Sequence, residues 1–281
     1  MRFQLAQGDA VAWLRMLPSN SIDLVITDPA YESLEKHRKI GTTTRLKHSK
    51  SSSNDWFQIF PNSRFPEFFV EVYRVLKNNT HFYMMCDQET MFVTKPMAEE
   101  TGFKFWKPIV WDKEKIGMGY HYRARYEFIL FFEKGKRNLN DLGIADVISC
   151  KRVNGGYPTE KPVELSEVLV KQSTAIGELV IDPFMGSGSA GVAAIRHGRE
   201  FLGNDFAPTS LELARRRLLD AGAKDEVIGL GGMVAPPPTQ VDMFAQLPRQ
   251  PACECVEEYD PITWDGRCPN CMGFRRDDEA A

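Results

Sequence analysis

The strongest constraint on the fold is an alternation of short apolar runs with helical stretches, several of the runs stopping at an acid. Residues 23–28 (Asp-Leu-Val-Ile-Thr-Asp) read as a buried strand ending at an acid and a proline. Strands are also expected at 80–86, at 104–111 and over Tyr126–Phe132, the last as a central strand. Glu178–Asp182 is a strand leading into a glycine-rich turn and helix, and Phe201–Asp205 is a strand followed by a helix from Pro208 to about Leu219. Two more helices are expected, one at about 65–77 closed by Asn78-Asn79 and one opened by Pro162 and running to about 174. This order predicts an α/β fold with a doubly wound, mainly parallel sheet covered on both faces.

At 281 residues the chain holds one such domain and a small appendage, and its 43% hydrophobic content is ample for a core. No apolar run reaches the roughly 18–20 residues of a membrane span. Met1–Leu5 lacks the pattern of a secretory signal, and four of the six cysteines crowd into the last thirty residues, so a reducing cytoplasm is expected. After Ala221 the character changes. Three glycines and the prolines from Pro236 to Pro251 make 222–252 a linker, leaving 1–221 as the main domain.

Two motifs carry chemistry. Asp28-Pro29-Ala30-Tyr31 stands at the carboxyl end of a strand, where open α/β sheets place their ligands. An exocyclic amine on a nucleobase is a poor nucleophile because its lone pair is delocalised into the ring. A carboxylate and a backbone carbonyl accepting its two protons favour a pyramidal nitrogen, and Asp28 and the Pro29 carbonyl can serve as those acceptors. Tyr31 offers a face for a base that has left the duplex. Taken alone, the tetrapeptide reads more readily as a strand-ending turn with a core tyrosine.

The second motif is Asp182-Pro183-Phe184-Met185-Gly186-Ser187-Gly188-Ser189-Ala190-Gly191, with Asp205 at the end of the next strand. Its glycines let the backbone approach a ligand at a helix N-terminus, and an acid on the next strand suits ribose hydroxyls. Residues 186–191 also satisfy G-x-G-x-x-G, so a nicotinamide-dependent oxidoreductase competes. Asp182 and Phe184 intervene between strand and glycines, however, which suits a ligand with an amino-acid end and a sulfonium.

In order along the chain, Gln7-Gly8-Asp9-Ala10, Asp28-Pro29-Ala30-Tyr31, Tyr157-Pro158-Thr159-Glu160-Lys161-Pro162 and Asp182–Gly188 resemble the motifs of the β-class DNA amino-methyltransferases over roughly residues 5–220. The second is similar to D-P-P-Y, the third to H-P-T-x-K-P and the fourth to D-P-F-x-G-S-G. The resemblance implies the S-adenosylmethionine-dependent methyltransferase fold, circularly permuted because the catalytic tetrapeptide precedes the cofactor loop. It implies S-adenosylmethionine as cofactor, in a pocket lined by Asp9, Asp28, Lys161, Asp182, Phe184, Gly186, Ser187, Gly188 and Asp205. It assigns the target base to Asp28, Pro29 and Tyr31. In this family an initial Asp goes with adenine N6 and an initial Ser with cytosine N4, which favours adenine and leaves cytosine as the alternative. Ala30 and Tyr157 depart from the pattern, standing where the family has proline and histidine.

The net charge of −3 conceals local positive runs. Residues 32–50, 113–125 and 134–152 carry +4, +3 and +3, while 252–281 carry −5. Double-stranded DNA is therefore expected at loops 32–55 and 133–157, with Arg38, Arg45, Lys47, Arg123, Arg125 and Arg137 as candidate contacts. A non-catalytic DNA-binding module is the third function class. In the tail, Cys253, Cys255, Cys268 and Cys271 have zinc-ribbon spacing within a 253–273 module, and a segment with so little core needs a structural Zn2+ as a staple. Gln240–Phe244 resembles the Q-x-x-[LM]-F peptides that dock on the bacterial sliding clamp. A homodimer is also expected; a membrane partner is not.

Overall fold

The structure, a computed structural model, describes residues 1–33, 58–117, 121–153, 157 and 160–230. The chain divides into two compact units, Met1–Pro236 and Pro237–Ala281. Arg38, Arg45 and Lys47, the clamp-like Gln240–Phe244, the four tail cysteines and most of loop 32–55 lie outside the described residues.

Nine strands of the first unit form one sheet. They are β1 (Arg2–Gln7), β2 (Ile22–Thr27), β3 (Leu76–Cys86), β4 (Lys104–Asp112), β5 (Tyr126–Lys134), β6 (Val147–Ser149), β7 (Leu179–Asp182), β8 (Glu200–Asp205) and β9 (Lys224–Asp225). The spatial order is β6-β4-β5-β3-β2-β7-β8-β1-β9. Only β5 runs against its neighbours, β3 and β4; every other pairing is parallel. The expected mainly parallel sheet is therefore present, with one reversed strand in its interior.

Helices cover both faces. On one side lie α1 (Ala10–Met16), α2 (Phe65–Val75) and α3 (Gln88–Thr101). Their Val11, Leu14, Phe68, Phe69, Val72 and Ala98 pack in one core with Val25, Phe82 and Met84 of the sheet. On the other side, α4 (Val163–Ser173), α5 (Ser189–Arg196) and α6 (Pro208–Asp220) supply Leu169, Val192, Ala214 and Leu218 to a second core with Leu24, Ile26, Tyr83 and Val180. Consecutive residues of β2 thus feed opposite cores, as the two-residue period of a strand requires, and all six are buried. The α2 helix buries Phe65, Phe68, Phe69, Val72 and Val75, a helical spacing that makes one apolar stripe. Each buried side chain of that size contributes about 1.5–3 kcal/mol.

Two expectations shift. The chain turns from helix to strand at Leu76, before Asn78-Asn79, so those asparagines belong to β3. The 87–103 interval, which shows no apolar periodicity, is mostly the helix α3, capped by the Asp87 side chain on Thr90 and stopped by Gly102 at φ 111°. Among the described residues no helix is long and apolar enough to cross a membrane.

Candidate active site

The parallel strands end on one edge, and three neighbours at the centre of the sheet carry acids there. Asp28 follows β2, while Asp182 and Asp205 close β7 and β8. These strands are immediate neighbours, so three carboxylates converge at the edge where α/β sheets bind ligands. Burial raises all three above the ordinary carboxylate range. Asp182 is the extreme case: only 5% exposed, it is pushed up to about 8 by burial, with Asp28 and Asp205 adding to the shift. Its Oδ1 accepts from the Thr27 hydroxyl at 2.9 Å and from the Phe184 amide at 3.0 Å.

The turn after β7 is built by glycine. Gly186 and Gly188 lie at φ 49° and 78°, in the left-handed region. A Cβ on Gly188 would sit 2.9 Å from the Ala214 Cβ, so the turn packs directly on α6. The Gly186 amide donates to Asp205 Oδ2 at 2.8 Å, joining the glycine turn to the acid of β8. Arg217 of α6 donates to the Ser187 carbonyl at 2.7 Å and pairs with Glu160 at 2.8 Å. Asn204 bridges the carbonyls of Gly8 and Pro183 at 3.0 and 3.1 Å, while its buried Oδ1 has no hydrogen-bond partner among the described residues. Phe184 is half-buried, edge-on to Phe60 with centroids 5.1 Å apart. The structure thus gathers Asp182, Phe184, Gly186, Ser187, Gly188 and Asp205 into one turn.

The tetrapeptide faces this turn. The Ala30 carbonyl accepts from the Phe60 amide at 2.7 Å, which pins Tyr31 against the first core. Burial holds the Tyr31 hydroxyl well above its usual range, with Glu127 and Asp28 adding to the effect. Ser33 donates to Asp87 Oδ2 at 2.6 Å and ties the start of the following segment to the α3 cap. Lys161 reaches across from the segment before α4, and its ammonium contacts Asp28 Oδ2 directly. Burial opposes the charge on Lys161, but Asp28 and Glu127 outweigh it and hold its pKa up at about 12.

Other sequence candidates have more particular places. Asp9 caps α1 by accepting from the Ala12 amide at 3.0 Å and takes both Arg64 Nη atoms, at 2.6 and 3.0 Å. Burial works against its charge, and Arg64 overcomes that to hold its carboxyl below the ordinary range. Asp9 stands beside the turn, but its oxygens are already engaged within the protein. Arg125 is a fork on Asp112, at 2.5 and 2.7 Å, and is exposed with Arg123 between β4 and β5, on the same edge as Asp28. Arg137 is elsewhere. It pairs with Glu178 at 3.1 Å, just before β7, at the opposite edge of the sheet. Because β5 is antiparallel, the segment that follows it emerges at that far edge. Loop 133–157 is therefore not one loop at the site: its first part lies away from Asp28, and β6 carries the chain back.

Three participants have roles that motif reading does not give. Tyr157 packs on Gly186, 3.4 Å from the Cβ position there, and bonds Ser210 at 2.9 Å, so the residue replacing the family's histidine braces the turn. Arg217 and Asn204 are the others; neither falls in a motif, and both act on backbone carbonyls.

The set of groups fits a cationic ligand. A dinucleotide would bring an anionic pyrophosphate beside Asp28 and Asp205, whereas a sulfonium with an amino-acid end brings positive charge. That favours the methyl donor over the nicotinamide alternative.

Comparison with known proteins agrees. The DNA methylase family model for N6 and N4 enzymes matches residues 22–148 and 143–216. The chain is 27% identical over 254 residues to the DNA adenine methyltransferase YhdJ of Escherichia coli K12, covering 76% of this chain and 82% of YhdJ. Its fold is similar to that of TTHA0409 from Thermus thermophilus, solved as a complex with S-adenosyl-L-methionine, at a TM-score of 0.59 and 22% identity, covering 82% of this chain and all of that one. It is equally similar in fold to the cytosine-N4-specific PvuII DNA methyltransferase, at 0.59 and 15% identity, covering 80% and 95%. The chain belongs to the N6/N4 family of DNA methylases and is a DNA amino-methyltransferase.

Proposed function

We propose that this DNA methyltransferase transfers a methyl group from S-adenosylmethionine to N6 of an adenine flipped out of duplex DNA. The carrying observation is Asp28, a carboxylate beside Tyr31 at the carboxyl end of β2 and next to the Asp182–Gly188 turn. S-adenosylmethionine would supply an electrophilic methyl on a sulfonium. Asp182, Phe184, Gly186, Ser187 and Gly188 would hold it, with Asp205 toward its ribose and Lys161 and Asp9 at the margins. That TTHA0409 was solved with this compound supports the choice.

The protein's own part is positioning and charge. Asp28 and the Pro29 carbonyl accept the two amine protons and turn the nitrogen lone pair toward the methyl group. Tyr31 stacks on the extruded base. The half-buried Asp28 carboxyl, raised in proton affinity, takes the proton that the methylated nitrogen sheds. No side chain acts as a nucleophile. Arg123 and the base-facing loops would contact DNA on the same edge.

Adenine rather than cytosine rests on aspartate opening the tetrapeptide and on the similarity to YhdJ; the sheet fold, shared with PvuII, does not discriminate. Duplex DNA incubated with the full chain and methyl-labelled S-adenosylmethionine should digest to labelled N6-methyladenosine in nucleoside mass spectrometry. Label appearing only in N4-methylcytosine would reverse the assignment. The circular permutation, the zinc at Cys253, Cys255, Cys268 and Cys271, clamp docking through Gln240–Phe244 and homodimerisation stay proposals that rest on the sequence.

A further inference from the structure

We propose that Glu127 is a positioning residue that receives Lys161 from Asp28 when the target amine arrives; this rests on the assignment of Asp28 to that amine. The difficulty it resolves is geometric. The Lys161 ammonium occupies Asp28 Oδ2, so an incoming N–H donor competes with a cation for that oxygen. An ammonium that simply left would be stranded: Lys161 is 14% exposed at its side chain, and an uncompensated buried charge is strongly unfavourable.

Glu127, on β5, provides the second station. Its Oε2 stands 3.7 Å from Lys161 Nζ, so a movement of about 1 Å brings the two to charge-assisted hydrogen-bond distance. Its other oxygen, Oε1, is held by Lys113, whose ammonium lies 5.1 Å from the centroid of the Trp111 ring. The Lys161 main chain is fixed too, because its carbonyl accepts from Ser189 Oγ at 2.7 Å. Only the lysine side chain need move. Two carboxylates and two ammoniums share the cluster, so the transfer changes no net charge.

The groups that face this lysine come from several elements. Asp28 and Tyr31 follow β2, Glu127 lies on β5, and Lys113 and Arg152 act on Glu127 from the segments after β4 and β6. Asp28 in turn acts on Asp182 of β7. Burial keeps the Tyr31 hydroxyl and the Cys86 thiol protonated through mildly alkaline pH, so neither supplies an alkaline response.

Single-turnover methyl transfer by the full chain tests the proposal, with S-adenosylmethionine affinity measured alongside. Glu127→Gln should slow transfer about tenfold or more near neutral pH, the factor of one pKa unit of lost pairing, while cofactor affinity stays within about twofold. Its rate should then climb at a lower alkaline pH than that of wild type, because the singly paired ammonium loses its proton more readily and uncovers Asp28. Wild type, with both carboxylates holding Lys161 up at about 12, should show that rise only at higher pH. In a Lys161→Met background, whatever its own rate, Glu127→Gln should add no further cost and show no rise. A wild-type rate in Glu127→Gln, or a pH-independent loss that multiplies with Lys161→Met, overturns the role of Glu127. Wild-type turnover in Asp28→Ala would instead overturn the amine assignment, whatever Glu127 does.

Discussion

Asp182 carries a consequence that pH can read. Its carboxyl is raised from 3.8 to about 8 by burial. Between those values the folded protein holds a proton that the unfolded chain releases, so stability from this group is full below about pH 4 and is lost as pH rises toward about 8. Asp182→Asn keeps an oxygen for Thr27 and Phe184 but removes the titration. The thermal midpoint of the cofactor-free protein should therefore fall less steeply across that window in Asp182→Asn than in wild type, each unit of raised pKa corresponding to about 1.4 kcal/mol. Parallel midpoint-against-pH curves would mean that Asp182 is ionised in the folded protein. At this scale the sequence was legible where a residue sits in a motif and silent where its role depends on a partner across the sheet. Asp28, Asp182 and Asp205 end apolar strands and announce themselves. Glu127 reads as an incidental acid in an apolar strand, because the lysines that employ it are 14 residues before and 34 after it. Arg137 shows the converse: charge alone named it, and strand direction moved it to the far edge.

Between elements, the contact that matters most for the site is the glycine turn on α6. Gly188 has both a left-handed φ and no space for a Cβ, Ala214 being 2.9 Å from that position. Gly188→Ala should cost about 1–3 kcal/mol through the forced shift of α6, and so lower the thermal midpoint by several degrees. It should also weaken S-adenosylmethionine binding, since Ser187 and Asp205 are set by the same packing; calorimetric titration and thermal unfolding read the two effects. An unchanged midpoint with unchanged binding would contradict the close approach. The strands β2, β5, β7 and β8 and the helices α2, α4 and α6 were legible because apolar runs, prolines and acids mark their ends. The α3 helix was not. Its fully buried positions, Thr90, Thr94 and Ala98, are four apart but mostly polar, and Pro96 interrupts it. Only its caps, Asp87 and Gly102, carry the signal.

Across the whole molecule, one sheet edge gathers the functional groups while the opposite edge is closed structurally. There Lys134 spends its ammonium on the Tyr73 and Leu76 carbonyls at 2.6 and 2.5 Å, and His81 bonds Ser173 at 2.7 Å. The acidic overall charge is compatible with DNA because the active edge collects Arg123 and Arg152 at its rim. Asp28 is where this division of labour is tested most directly. Asp28→Ala and wild type should be compared for labelled methyl transfer to duplex DNA and for calorimetric binding of S-adenosylmethionine. Asp28→Ala should bind the cofactor within a few-fold of wild type and transfer about a hundredfold less methyl or worse, the scale of losing one preorganised polar group at a reacting centre. Transfer at the wild-type rate would contradict the assignment of the amine to Asp28.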